Sequence, residues 1–306
     1  MIDIATMRHT VFSGSFFITA LVALGILSTN ASAQDRLPRL GFLALAGEES
    51  LRAYDGAFFR KLESLGWVEG KNVEFVFSTA NNDPAQYPQA AARLVQEKVH
   101  LIYAESAPAV RAAHAATRTI PTIASDYTND PVAAGYAISY RRPGGNITGI
   151  FLDAPQFAGK WIELLKSLVP GLTHAVVLWD PTPGDTHVRA LEKMAPSFGL
   201  NLEFIDIKTP EDIDAAASAF RKKPGAIFIV PSPMMFYESA RLARLARKER
   251  VPAISMAQQF AEQGGLLAYG PEQDAANARL AVLAAKILDG ADPADLPIEK
   301  PDRFEL

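Results

Sequence analysis

The sequence predicts an α/β protein made of two similar lobes, each a parallel sheet with helices on both faces. Three observations carry this. Short apolar stretches of strand length alternate with helix-length amphipathic stretches along the chain, the pattern of repeated β-α units. The alternation restarts near Asn146, so that two runs of comparable length follow one another. The chain has 306 residues, 49% of them hydrophobic and 21% charged, enough to build two cores of ordinary globular composition.

In the first run, residues 39–45 (RLGFLAL) form a strand. Residues 51–65 follow as one amphipathic helix, with Leu51, Tyr54, Phe58, Phe59, Leu62 and Leu65 at helical spacing and Gly66 as its stop. Residues 72–79 alternate as a strand and 86–98 are helical. A strand at 101–105, a helix at 108–117 and a strand at 120–125 complete the run.

The second run opens with a strand at 146–151 and a helix at 155–168 that starts on proline. Strands are predicted at 174–180, 201–207, 226–231, 252–256 and 266–270. Helices are predicted at 186–198, 211–222, 234–250 and 274–288. No low-complexity linker separates the runs, so the joint lies in short crossings. The first natural crossing is GGNITGIFLDAP, with glycines at 144, 145 and 149 for backbone freedom.

The first 33 residues form a separate object. Arg8 and His9 precede an apolar stretch at 11–27, and Ala31-Ser32-Ala33 is a small-x-small cleavage pattern. This predicts a secretory signal peptide cut after Ala33 and a periplasmic protein; a single membrane anchor is the competing reading. The formal net charge is −4 with no basic region, which argues against nucleic acid as a partner. There are no cysteines, which excludes disulfides, thiolate nucleophiles and anchoring through a lipid-modified cysteine.

Ligands of open α/β sheets sit outside the carboxyl ends of the strands. Those ends carry Ser50 after the first strand, Ser106 after the third, Asp126, Tyr127 and Thr128 after the fourth, and Trp179, Asp180 and Ser232 in the second run. Tyr54 belongs to the same set of aromatic residues near strand ends. Small hydroxyl residues at a helix start offer an anion the free backbone N–H groups, but Ser and Asp there are also ordinary N-caps; both readings stand for Ser106 and Ser232. For the two aspartates of SDYTNDP the expectation is divided. Asp126 faces a ligand ammonium, and Asp130, before Pro131, holds its own turn.

Catalytic sets are missing from the sequence. His9, His100, His114, His174 and His187 show no metal-ligand spacing, no H-E-x-x-H occurs, and no G-x-S-x-G elbow occurs. The glycines of RPGGNITG precede a strand and lack the spacing of a phosphate loop. The chain is therefore read as a binding protein, with no metal and no cofactor.

Several stretches taken together resemble the tryptophan/tyrosine type of ABC-transporter substrate-binding proteins. They include LGWVEGKNVEF (65–75), AATRTIPTIASDYTNDPVAAG (115–135), RRPGGNITGIFLDAPQFAGKWIELLKSLVPGL (141–172), FAEQGGLLAYGP (260–271) and KILDGADPADLPIEKPDRFEL (286–306). The resemblance implies a type I periplasmic-binding fold. Residues 37–150 with 271–306 would form one lobe, residues 151–270 the other, and Gly149 and Gly270 would be hinge positions.

The resemblance also implies a monomeric receptor. It would close on a small ligand, an amino acid or similar carboxylate-bearing compound, and deliver it to a membrane permease. Asp126 would hold the amine, Ser106, Thr128 and Ser232 the carboxylate, and Tyr54, Tyr127 and Trp179 the side chain. A sensory protein presenting the solute to a receptor kinase or chemoreceptor is the alternative. Family members usually continue past Phe304-Glu305-Leu306 with a further strand and helix. The expectation is that the third crossing and final helix are missing here, leaving apolar surface exposed.

Overall fold

The computed structural model describes residues 37–152, 155–221 and 225–306; the expected leader lies outside the described residues. The first sheet holds β1 (Arg39–Ala44), β2 (Glu74–Thr79), β3 (Leu101–Ala104), β4 (Thr122–Asp126) and β5 (Ile147–Phe151). The second holds β6 (His174–Trp179), β7 (Asn201–Asp206), β8 (Ala226–Ile229), β9 (Ala253–Ser255) and β10 (Leu267–Ala268).

All pairings within both sheets are parallel. Their orders are β2-β1-β3-β4-β5 and β10-β9-β8-β6-β7. Counted from the first strand of each sheet, both are order 2-1-3-4-5, and β5, read from the sequence as opening the second run, belongs to the first sheet. The two lobes therefore repeat one topology, with the reversal of strand order beside β1/β3 in the first and β6/β8 in the second. Central strands such as β3 and β8 are buried at every position, which is why they read as continuous apolar runs in the sequence.

The helices of the first lobe are α1 (Glu48–Tyr54), α2 (Gly56–Ser64), α3 (Tyr87–Gln96) and α4 (Ala107–Ala116). Those of the second are α5 (Pro155–Leu168), α6 (Thr186–Met194), α7 (Pro210–Ala215), α8 (Ala217–Arg221), α9 (Pro233–Tyr237), α10 (Ser239–Glu249) and α11 (Gln258–Glu262). The last, α12 (Gln273–Leu288), packs back on α2. Leu280, Ala281 and Ala284 of α12 join Phe42, Phe58 and Leu62 in one buried cluster. That cluster ties the end of the chain to the first lobe.

Three predicted helices are each split in two, the stretch 211–222 dividing at Ala216 into α7 and α8. The stretch 51–65 breaks at Asp55, whose carboxylate turns inward to accept from Tyr103 Oη at 3.0 Å and Asn277 Nδ2 at 2.8 Å. The stretch 234–250 breaks at Glu238, after which Ser239 Oγ donates back to the carbonyls of Met235 and Phe236. Such back-bonding competes with the helical ladder.

The expected hinge glycines have another, visible duty. Gly149 lies inside β5 opposite Ala124, with φ +142°, and a Cβ there would stand 2.1 Å from the Ala124 carbonyl oxygen. Gly270, in β11 (Gly270–Pro271), would place a Cβ 2.4 Å from the Met256 carbonyl oxygen. Close backbone approach demands glycine at both positions.

β12 (Phe304–Glu305) pairs antiparallel with β11, and Phe304 packs 5.3 Å from the Phe157 ring and 6.3 Å from that of Tyr269. Phe304 and Leu306 are exposed.

Candidate functional site

The carboxyl ends of the two sheets face each other across a cleft with about 490 Å³ of non-atom space, partly open to solvent. The enclosed part is only about 50 Å³, below the usual range of small-molecule sites. Its first-lobe wall comprises Tyr54, Glu105, Ser106, Ala107, Ser125, Tyr127, Thr128 and Gln273; its second-lobe wall comprises Pro183, Pro231, Ser232, Pro233 and Phe236. Among the described residues the lining carries one carboxylate, Glu105, and no lysine, arginine or histidine.

The walls already touch. Tyr237 Oη donates to Glu105 at 2.8 Å from Oε1 and 3.1 Å from Oε2. Tyr54 meets the Phe236 ring edge-on at 5.7 Å and lies 5.8 Å from that of Tyr237. His187 Nε2 donates to the Tyr127 carbonyl at 2.8 Å, and Arg111 Nη2 to the Thr182 carbonyl at 2.9 Å. Each of these joins a first-lobe residue to a second-lobe residue, so the lobes stand closed against each other.

Of the residues singled out from sequence, Tyr54, Ser106, Tyr127, Thr128 and Ser232 come together in this cleft. Ser50 does not; it is exposed on α1. Trp179 ends β6 half-buried against the second-lobe core, away from the lining. Asp180 is buried and accepts the Thr182 backbone N–H at 2.8 Å, closing its own turn.

The largest departure concerns Asp126. Its carboxylate is fully buried and absent from the cleft wall. Oδ1 accepts the backbone N–H groups of Thr128 at 2.8 Å and Asn129 at 3.1 Å, and Oδ2 accepts Asn129 Nδ2 at 2.8 Å. Asp126 therefore holds its own loop, as Asp130 does through Val132 and Ala133 at 2.9 and 2.8 Å. Burial nevertheless pushes the Asp126 pKa upward against those hydrogen bonds.

Ser106 and Ser232 satisfy both readings. Ser106 Oγ accepts the Ala109 N–H and Ser232 Oγ the Met235 N–H, so each is an N-cap, and each also lines the cleft. Proline follows close behind both caps, as Pro108 and Pro233. The first-turn donors left uncommitted by proline and cap are the N–H groups of Ala107 and Met234.

Sequence reasoning missed Glu105, the carboxyl group of the cleft. Desolvation pushes its carboxyl well above the usual range, with the nearby Asp55 carboxylate adding to the shift, while the Tyr237 hydroxyl and the Leu45 backbone oppose it. Asp55 behind it is raised too, chiefly by burial. The wall is therefore acidic and short of counter-charge. Beside it, the Tyr127 hydroxyl is shut from solvent; its polar neighbours are Ser125 and Gln273, but it meets no partner at bonding geometry among the described residues.

No group of three His, Cys, Asp or Glu side chains among the described residues is arranged to hold a metal ion, and none of their helices is long and apolar enough to cross a membrane.

Comparison with known proteins gives one family. The profile described as ABC transporter substrate binding protein matches residues 42–306. A tyrosine-binding protein of Clostridioides difficile is 26% identical over 271 residues, covering 87% of this chain and 77% of the relative. Among solved structures, a conserved domain protein from Vibrio cholerae superposes with a TM-score of 0.78 at 23% identity, over 88% of this chain and 91% of that one. An ABC domain in complex with L-Trp from Streptococcus pneumonia gives 0.75 at 22% identity, over 87% and 89%. These likenesses carry the type I periplasmic-binding fold.

Proposed function

The chain belongs to the ABC transporter substrate binding protein family, and from that premise we propose that it is the solute receptor of an importer, closing its lobes on a small aromatic amino acid or a close relative of one. The carrying observation is the cleft itself. Its wall is drawn from the strand ends of both sheets and includes Tyr54, Tyr127 and Phe236 beside a few polar groups. The tyrosine-binding relative supports the aromatic class.

Selectivity comes from the two walls together. A ligand touches Tyr54 and Phe236 at once only when the lobes are closed, so binding shifts the population toward the closed form. That form is the signal a membrane permease would read. In this reading residues 37–150 and 271–306 move against 151–270, the protein works as a monomer in the periplasm after removal of its leader, and it performs no catalysis.

A thermal-shift screen of the purified protein against the amino acids, dipeptides, purines and organic acids tests this. A ligand that binds only the folded state at a hundred times its Kd stabilises it by about 2.7 kcal/mol. An upward shift confined to aromatic amino acids and their close relatives is expected. A shift with purines or organic acids alone would overturn the proposed ligand class.

A further inference from the structure

We infer that the preferred ligand is an organic monocation, a primary amine on an aromatic body, whose ammonium pairs with Glu105 and which needs no carboxylate. The inference rests on the solute-receptor reading and narrows its ligand class.

Charge carries it first. Glu105 is the carboxylic acid of the cleft wall, Asp55 lies buried behind it, and no cationic side chain among the described residues lines the wall. Arg111, the cation bonded across the cleft mouth, is exposed and spends Nη2 on the Thr182 carbonyl. A ligand carboxylate would meet two acids and no base. An ammonium would meet a carboxylate that still has acceptor capacity, since Tyr237 and the Leu45 backbone do not exhaust its lone-pair sites.

The donors tell the same story. A carboxylate in a cleft without cations depends on helix-start N–H groups. Here Pro108 and Pro233 have none, and Ser106 and Ser232 cap the third amide of their helices. One free amide remains at each helix start. The hydroxyls of Ser125, Thr128 and Tyr127 can instead accept from an ammonium, and the Tyr54 and Phe236 rings suit a cation and an aromatic body alike.

Isothermal titration at neutral pH decides the matter, using tyramine, tryptamine, L-tyrosine and L-tryptophan. The amines should bind roughly ten-fold or more tightly than the matching amino acids. Glu105→Gln should weaken the amines roughly ten- to a hundred-fold, the size of a lost charge-assisted hydrogen bond. An amino acid binding as tightly as its amine overturns the inference and leaves the receptor reading intact. So does unchanged amine affinity in a folded Glu105→Gln variant. Binding of neither class overturns both. The ranking on the unaltered protein stands whether or not the variant folds.

Discussion

The Tyr237 hydroxyl donates to the Glu105 carboxylate across the cleft, at 2.8 Å from Oε1 and 3.1 Å from Oε2. This contact joins α9 of the second lobe to the end of β3 in the first. It satisfies a half-buried acid that has no cation beside it among the described residues. The closed arrangement is thereby supported by a direct contact between the lobes. Replacing Tyr237 with Phe removes the donor and keeps the ring against Tyr54. We expect a loss of about 1 kcal/mol from the closed state, a larger radius of gyration for the empty protein in small-angle scattering, and a ligand-bound radius equal to that of the parent. An unchanged empty-state radius would show that the bond does not hold the lobes together.

Asp126 gives a prediction opposite to the one its sequence context invites. Its carboxylate accepts three hydrogen bonds from Thr128 and Asn129 inside a buried turn. Asp126→Ala leaves those donors without an acceptor. The expected cost is about 1–3 kcal/mol in the empty protein, read as a lower midpoint in urea, with the binding stoichiometry of the surviving folded fraction unchanged. Loss of binding with full stability would return Asp126 to the ligand.

Gly149→Ala should be among the most damaging small substitutions. The added methyl would stand 2.1 Å from the Ala124 carbonyl oxygen and 2.6 Å from its nitrogen, at a φ that L side chains rarely adopt. Both neighbours are backbone atoms in a paired strand and cannot swing aside. A destabilisation of about 3 kcal/mol or more is expected, seen as a lower melting temperature or as insoluble protein.

These sites show what a sequence makes legible. The sheet strands were readable because a buried central parallel strand such as β3 or β8 is an uninterrupted apolar run, while the edge strands β2 and β7 alternate. The breaks at Asp55 and Glu238 were not. Asp55 turns inward partly because Asn277, 222 positions away, supplies a donor, and no local pattern encodes that partner. Asp126 and Asp130 looked different beside their neighbours but make the same kind of turn. Glu105 sat in plain view at a strand end. Its importance comes from the absence of any cation around it among the described residues, which only the folded arrangement of both lobes displays. Ser50 and Trp179 were drawn in by position along the chain, while the actual side-chain directions take them elsewhere.

His187 makes the lobe contact sensitive to acid. It is buried on α6, donates Nε2–H to the Tyr127 carbonyl, and has no partner for Nδ1 among the described residues. Burial pushes its pKa from 6.5 down to about 4, so it is neutral at pH 7. Between those values the unfolded chain binds the proton that the folded chain refuses. Its contribution to stability is therefore complete above pH 6.5 and falls as the pH drops toward 4. The loss amounts to about 2 kcal/mol at pH 5 and approaches about 3 kcal/mol below the folded value. Asp55 and Glu105, with raised pKa values, gain stability over the same descent and partly mask it. The clean measurement is a difference. Urea midpoints of the parent and of His187→Gln, which can still donate to Tyr127, should converge as the pH falls from 7 to 5. Parallel curves would mean that His187 does not titrate in this window.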